Sequence, residues 1–213
     1  MHRTRIKICG ITSARDAALA VAAGADAIGV IFAESPRQVT VEQAVAALAD
    51  VPPPVARIGV FVDPSTQEVR AAAEACRLTA VQLSGHESPE FGDTLGLPII
   101  KAIHIGTDFD SGAPEPYRSH VAALLLDTHV AGKMGGTSQA FDWQRPGVLP
   151  EWAPSFVAGG LNPENVSACI DALHPFAVDV SSGVEAAPGI KDPEKIVAFC
   201  AAVRDADMRG AAR

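Results

Sequence analysis

The chain has 213 residues, 48% of them hydrophobic, a length that suits one α/β barrel or two small domains. Its formal net charge of -8 and its lack of a lysine or arginine cluster argue against nucleic acid or an anionic membrane as the main partner. It has no stretch of about 18 apolar residues and no secretory signal, which predicts a cytoplasmic protein.

Short apolar runs alternate with helical patterns along the chain, with a repeat of about 25 residues. The runs predict eight buried strands, at 6–8, 27–32, 56–62, 80–83, 99–103, 121–127, 155–158 and 177–180. Helices are predicted at 14–23, 40–49, 63–76, 88–95, 162–173 and 193–204, with shorter helical turns at 117–120 and within 141–149.

This alternation predicts an α/β fold, a single-domain (β/α)8 TIM barrel over residues 1–205 with a frayed tail at 206–213. An open sheet of eight parallel strands is the alternative fold. The even strand spacing and the absence of a G-x-G-x-x-G turn after the first strand favour the closed barrel. In a barrel, chemistry takes place in the loops at the carboxyl ends of the strands.

The cysteines and histidines indicate no metal site. The four cysteines show no C-x-x-C spacing, and the six histidines show no H-x-H, H-x-x-H or H-E-x-x-H pattern. Cys76, Cys169 and Cys200 lie in alanine- or valine-rich helical patterns, where free thiols are expected to be small buried hydrophobes.

Two kinds of anchoring group follow predicted strands. Gly159 and Gly160 follow the seventh strand, and Ser181 and Ser182 follow the eighth, where a short helix is expected. Each loop alone is an ordinary turn, but the two together occupy the usual phosphate position of a barrel. Arg37 lies in a Ser-Pro-Arg loop and is either a solvated rim charge or a bidentate partner for a carboxylate.

Cys9 and Asp127 each close an apolar strand, on strands one and six of the predicted ring. In those places they would face the barrel mouth from roughly opposite sides, as a base and an acid acting on one substrate. A buried inert thiol and a carboxylate paired on the rim are the alternatives. We expect the Lys7 side chain to alternate to the other face of the first strand, away from Cys9.

Taken together, these segments resemble the phosphoribosylanthranilate isomerase family over nearly the whole chain, in the family's order. The matching motifs are Lys7-Ile8-Cys9-Gly10-Ile11-Thr12, Phe32 through Ser35-Pro36-Arg37, Gly59-Val60-Phe61-Val62, Val81-Gln82-Leu83, Leu125-Leu126-Asp127, Phe141-Asp142-Trp143, Ala158-Gly159-Gly160-Leu161, Asp179 through Glu185, and Pro188-Gly189-Ile190-Lys191-Asp192-Pro193.

The resemblance implies an Amadori rearrangement of N-(5-phosphoribosyl)anthranilate in tryptophan biosynthesis, without a cofactor. The resemblance further implies that Asp127 protonates the ribose ring oxygen and that Cys9 removes the C2 proton. Arg37 binds the anthranilate carboxylate and Asp179 a sugar hydroxyl. The glycines and serines after strands seven and eight bind the phosphate of this phosphosugar.

The sequence departs from the family at two places. Ser84 replaces a histidine near the substrate, and Ser138 replaces a glycine in the loop after strand six. We expect these changes to affect affinity and loop stiffness rather than the chemistry. The chain is expected to be a monomer or a homodimer and to use one aminoaldose substrate.

Two other functions compete with this one. Another phosphosugar barrel, such as indole-glycerol phosphate synthase or ribulose-phosphate epimerase, would need catalytic lysine and glutamate residues or metal-binding histidines that are not visible here. A non-catalytic barrel that binds a phosphorylated metabolite or a protein is the alternative from a different class.

Overall fold

The computed structural model describes residues 3–105, 112–127 and 149–211. Eight parallel strands close into a barrel in which each strand pairs with the next and the eighth pairs with the first, so the predicted (β/α)8 fold is confirmed. The strands are β1 (Arg5–Ile8), β2 (Ala27–Ile31), β3 (Ala56–Phe61), β4 (Ala80–Leu83), β5 (Ile99–His104), β6 (Ala123–Asp127), β7 (Ser155–Ala158) and β8 (Ala177–Val180). Predicted and observed strands agree to within two residues at every end.

In the described ranges, five α-helices lie outside the barrel, and polar caps fix the start of several of them. The helices are α1 (Ala14–Ala23), α2 (Val41–Leu48), α3 (Thr66–Cys76), α4 (Val166–Leu173) and α5 (Pro193–Ala211). Thr40 and Ser65 each form a capping box with the glutamine or glutamate three residues later, which satisfies two backbone N–H groups that the helix leaves free. None of the helices in the described ranges combines the length and apolar composition needed to cross a bilayer.

Several predicted helices differ from the observed ones. The segment predicted at 88–95 is a 3-10 helix, Pro89–Thr94, and the turn at 117–120 lies at Glu115–Tyr117. The helix predicted from Asn162 begins at Val166, because the Asn162 side chain first holds a turn by accepting from the N–H groups of Glu164 and Asn165. Most of the turn predicted within 141–149 lies outside the described residues.

The strand register separates the inside of the barrel from the layer under the helices. Small and apolar side chains fill the inside, among them Ala27, Ile58, Ala80, Ile100, Ala102, Ala123, Leu125, Phe156 and Ala177. A larger cluster lies between the strands and the helices. Because residues on successive strand positions face opposite ways, Lys7, Gln82 and Asp179 point inward while Lys101 points toward the helix layer.

The last helix is longer than predicted, and the frayed tail predicted from residue 206 is wrong as far as Ala211. Ala206 is 1% exposed, so α5 is still packed on the barrel there. The Asp207 carboxylate accepts hydrogen bonds from the backbone N–H of Thr4 at 2.9 Å and from its hydroxyl at 2.7 Å. These contacts hold the end of the chain against the entry to β1. Sequence composition alone gives no sign of so distant a pairing.

Replacing Asp207 by asparagine should destabilise the fold, because the amide leaves the Thr4 donors with a weaker and partly mismatched acceptor. We expect a loss of about 1–3 kcal/mol in the free energy of unfolding, measured by urea titration. Asp205→Asn is the matched control, since Asp205 is an exposed residue of the same helix. Equal losses in the two variants would contradict the anchoring role of Asp207.

Candidate active site

The candidate residues gather at the carboxyl end of the barrel, as the barrel prediction requires. Cys9 directly follows β1, Asp127 ends β6, and Asp179 lies in β8. Arg37, Gly159, Gly160, Ser181 and Ser182 all lie in loops that leave the same end. Cys76, Cys169 and Cys200 are buried among apolar side chains, as predicted.

Lys7 lies on the same strand face as Cys9, so our expectation that it points the other way is wrong. Residues two apart in a strand share a face, and the spacing from 7 to 9 is two. The Lys7 side chain is 0% exposed, and its ammonium donates to Oδ1 of Asp179 at 3.0 Å. The register pairs these two residues directly across β1 and β8.

Gly29 makes room for the Lys7 and Cys9 side chains inside the barrel. A Cβ atom at position 29 would lie 2.8 Å from the Cys9 sulfur and 3.2 Å from the Lys7 nitrogen. The thiol and the ammonium therefore meet over a strand position that carries no side chain. Glycine inside a strand often marks such a close approach.

Burial and charge act in opposite directions on the thiol. Burial raises the pKa of Cys9, the Lys7 ammonium opposes that rise, and the Asp179 carboxylate adds to it. For Lys7, burial alone would lower the pKa, but Asp179 and Cys9 outweigh burial and raise it, so the side chain stays an ammonium. The thiol therefore lies beside a positive charge that opposes the effect of burial on its pKa.

Arg37 is held by a carboxylate of the chain itself. Its Nε and Nη2 atoms donate to the two oxygens of Glu185 at 2.7 and 2.8 Å, which is the bidentate geometry expected of arginine. The Lys191 ammonium donates to the same Glu185 carboxylate at 2.8 Å. Arg37 is therefore an oriented side chain rather than a solvated rim charge.

Glu185 and Lys191 lie on a small hairpin that the sequence did not predict. Strands β9 (Glu185–Ala187) and β10 (Ile190–Lys191) pair antiparallel after β8. The Thr12 hydroxyl donates to the Gly189 carbonyl at 2.6 Å, which fastens the hairpin to the loop after β1. This link holds the hairpin that carries Glu185 against the loop after β1.

The loops after β7 and β8 have the features of an anion cradle. Gly159 and Gly160 adopt φ values of 92° and 68°, which glycine takes without strain. The predicted short helix after the eighth strand is the 3-10 helix Ser182–Val184. The Ser181 hydroxyl oxygen is buried and has no hydrogen-bond partner among the described residues. A buried hydroxyl of that kind is a ready donor to an anion.

Asp127 is less buried than Cys9, with 28% of its side chain exposed. Its Oδ2 atom lies 3.8 Å from Nδ1 of His104, which lies at the end of β5. The Gln82 amide donates to the Ser84 hydroxyl at 3.1 Å, so Ser84 is engaged with the barrel interior. Ser138 and the motif at 141–143 lie outside the described residues.

Four residues that matter here were missed as candidates: Lys7, Gly29, Glu185 and Lys191. Three of them stand in the quoted motifs, but no role was predicted for them because spacing alone does not reveal a buried charge. The period of two along β1 was a usable signal for Lys7. Within the described ranges, no group of three or more histidine, cysteine, aspartate or glutamate side chains is arranged to hold a metal ion.

A thiol and a carboxyl at the carboxyl end of a (β/α)8 barrel, together with an anion cradle and an oriented arginine, define the class of an acid/base isomerase acting on an anionic substrate. The comparisons with known proteins agree with this class. The sequence model of the N-(5'phosphoribosyl)anthranilate (PRA) isomerase family matches residues 6–202. The chain belongs to that family.

Relatives and solved structures match over almost their full lengths. The N-(5'-phosphoribosyl)anthranilate isomerase of Pseudomonas fluorescens (strain SBW25) is 46% identical over 208 residues, covering 96% of this chain and 98% of that protein. A structure of monomers generated from the dimeric isomerase of Thermotoga maritima has a TM-score of 0.83 at 36% identity, covering 94% and 98%. A phosphoribosylanthranilate isomerase in complex with reduced 1-(o-carboxyphenylamino)-1-deoxyribulose 5-phosphate has a TM-score of 0.83 at 38% identity, covering 95% and 99%.

The Glu185 cluster should make stability depend on acid pH. Burial alone would raise the pKa of Glu185, but hydrogen bonds from Arg37 and Lys191 outweigh it and lower the pKa. A carboxyl whose folded pKa is lowered stabilises the chain above its unfolded pKa, about 4.3 for glutamate, and loses that contribution as the pH falls through its folded pKa. We expect Glu185→Gln to lower the unfolding free energy at neutral pH and to flatten its decline in acid.

Urea titrations at a series of pH values from neutral to acid measure this effect. Glu74→Gln is the control, because Glu74 is an exposed residue of α3. A Glu185→Gln curve that runs parallel to that of the native sequence would show that the ion pairs do not contribute.

Proposed function

We propose that this chain converts N-(5-phosphoribosyl)anthranilate to 1-(2-carboxyphenylamino)-1-deoxyribulose 5-phosphate, by general acid/base catalysis. The observation that carries the proposal is the location of Cys9 and Asp127 at the same end of the barrel in a member of this family. The complex of a relative with a reduced form of the product supports the substrate class.

Asp127 acts first, as the general acid. It gives its proton to the ribose ring oxygen, the furanose opens, and the anthranilate nitrogen becomes part of a protonated Schiff base. Cys9 then acts as the general base and removes the proton from C2. The electron pair moves into the Schiff base to give an enolamine, which tautomerises to the ketone. The substrate nitrogen accepts the electrons, so the reaction needs no cofactor.

The anchors hold the two ends of the substrate. Arg37 binds the anthranilate carboxylate with the donors that Glu185 leaves, since an arginine has five N–H groups and Glu185 uses two. Gly159, Gly160, Ser181 and Ser182 bind the phosphate. Asp179 accepts a hydrogen bond from a sugar hydroxyl at Oδ2, because the Lys7 ammonium already donates to Oδ1. Holding both ends fixes C2 and the ring oxygen between the base and the acid.

We also propose that the enzyme works in the cytoplasm, as a monomer or a homodimer, with a phosphosugar substrate and no nucleic-acid or membrane partner. The net charge of -8 supports the absence of a nucleic-acid partner. The dimeric isomerase of Thermotoga maritima supports the homodimer.

Removing either proton-transfer group should abolish most of the activity. Loss of anthranilate-type fluorescence, with the substrate generated in situ, measures turnover. We expect Cys9→Ser and Asp127→Asn each to lower turnover at least ~100-fold, because each proton transfer contributes about 10²- to 10⁴-fold.

Matched controls separate chemistry from folding. Cys76→Ser removes a buried thiol on α3, and Asp93→Asn removes a carboxylate that is paired with a histidine, His120, at 3.0 Å. Both controls should keep turnover within a few fold of the native chain. Turnover in none of the proteins, together with a thermal shift on adding product analogue, would favour the non-catalytic barrel instead.

Ser181→Ala should have opposite effects on stability and on affinity. The buried Ser181 hydroxyl has no partner among the described residues, so its removal should leave the unfolding free energy unchanged or raise it slightly. The same change should raise KM about tenfold, because a charge-assisted hydrogen bond to the phosphate is lost. Ser167→Ala on α4, whose hydroxyl donates to the Ala202 carbonyl, is the control with the opposite pattern: lower stability and unchanged KM.

A further inference from the structure

We infer that Lys7 is a positioning residue for the general base: its buried ammonium stabilises the thiolate form of Cys9, and Asp179 holds that ammonium in place. This inference rests on the proposed function, since it assigns the group that makes Cys9 able to accept a proton. Lys7 itself contacts neither C2 nor the ring oxygen in this scheme.

The Lys7 ammonium is buried between Asp179 and Cys9, away from water. Its side chain is 0% exposed, and its nitrogen lies 3.0 Å from Asp179 Oδ1. On the other side it approaches the Cys9 sulfur over the empty position of Gly29, where a Cβ atom would lie within 3.2 Å of both atoms. A fully buried lysine that served only to neutralise Asp179 would not need to face a thiol as well.

The charges around the thiol also favour an anion at Cys9. Lys7, Arg37 and Lys191 are positive, and all three interact electrostatically with Cys9. Their carboxylate partners are Asp179 and Glu185. The Asp127 carboxylate raises the pKa of Asp179. Three cations therefore interact with the thiol, and each of them favours its thiolate form.

Lys7 is needed because burial works against the thiolate. Burial raises the pKa of Cys9, and of the charged neighbours Lys7 has the largest opposing effect. The thiol loses its proton to water before the substrate reacts, and the ammonium keeps its own. In the reaction the C2–H bond breaks, an S–H bond forms, and the electron pair enters the Schiff base. Lys7 changes neither its charge nor its bonds.

Lys7→Met tests the inference, because methionine fills similar space without charge. The Cys9 pKa is measured from the ultraviolet absorbance of the thiolate during a pH titration. The absorbance of the same protein with Cys9→Ser is subtracted at each pH, which removes the signal of the other three thiols. We expect Lys7→Met to raise the Cys9 pKa by at least ~1 unit and to move the alkaline rise of kcat upward by the same amount, because a neighbouring cation favours the thiolate. KM should change much less than kcat.

Lys101→Met is the matched control. Lys101 is also a buried lysine in a barrel strand, with its side chain 3% exposed and its nitrogen 2.7 Å from Glu87, but it points toward the helix layer. The Lys101→Met variant should leave the Cys9 pKa unchanged, even if it lowers the stability of the fold as much as Lys7→Met does. A shift of equal size in the two variants would overturn the inference.

The double variant Lys7→Met/Asp179→Asn keeps the test valid if Lys7→Met alone fails to fold. It removes the pair as a unit and leaves no unpaired buried carboxylate. Because Lys7 affects the thiol more strongly than Asp179 does, the Cys9 pKa should still rise. An unchanged or lowered pKa in this variant would refute the role of Lys7.

The titration of Cys9 does not depend on turnover, so the two hypotheses can fail separately. A native chain without isomerase activity, but with a Cys9 pKa that rises in Lys7→Met, would remove the proposed function and keep the electrostatic role. If the native chain is active but its Cys9 pKa and pH profile do not change in Lys7→Met, the proposed function stands and the electrostatic role of Lys7 is refuted.

Discussion

The active end of this barrel depends on the ion pair between Lys7 and Asp179. It joins β1 to β8, the two strands whose pairing closes the ring, and it lies among small apolar side chains. Separating a buried pair by removing one partner typically costs about 3–5 kcal/mol, because the remaining charge is left without compensation. The same pair sets the electrostatic surroundings of Cys9. One contact thus links the strand pair that closes the barrel to the surroundings of Cys9.

A second set of charges extends this arrangement to the rim. Glu185 accepts from both Arg37 and Lys191, and the hairpin that carries Glu185 is fastened to the loop after β1 through Thr12. The loop from β1, the loop from β2 and the segment after β8 are therefore held together by polar contacts. Glu185 orients Arg37, and a side chain that is held in this way loses less conformational entropy when it binds a ligand. The hydrophobic layers fix the barrel, and these ion pairs fix its mouth.

The barrel itself could be predicted from the sequence because the strands are short, mainly apolar runs between turn residues. β4, β7 and β8 were predicted at their observed bounds for that reason. The candidate residues were found by their place after strands, which needs only the topology. What the sequence could not supply were contacts between distant segments, such as Asp207 with Thr4 and Glu185 with Arg37. The error on Lys7 was different in kind, since the period of two along a strand already placed it beside Cys9.

Lys7 and Lys101 show why burial alone does not identify a functional charge. Each is a lysine within a barrel strand, each is almost fully buried, and each forms an ion pair with a buried carboxylate. Lys101 faces the helix layer, where its ammonium also donates to the Gly85 carbonyl and holds the loop after β4. All of its neighbours are groups that hold structure. Lys7 faces the barrel interior and meets a thiol that has no structural need of a cation. A buried charge that serves the reaction thus differs from a structural one in two ways. It lies on the strand face that points into the barrel, and one of its neighbours has no role in packing.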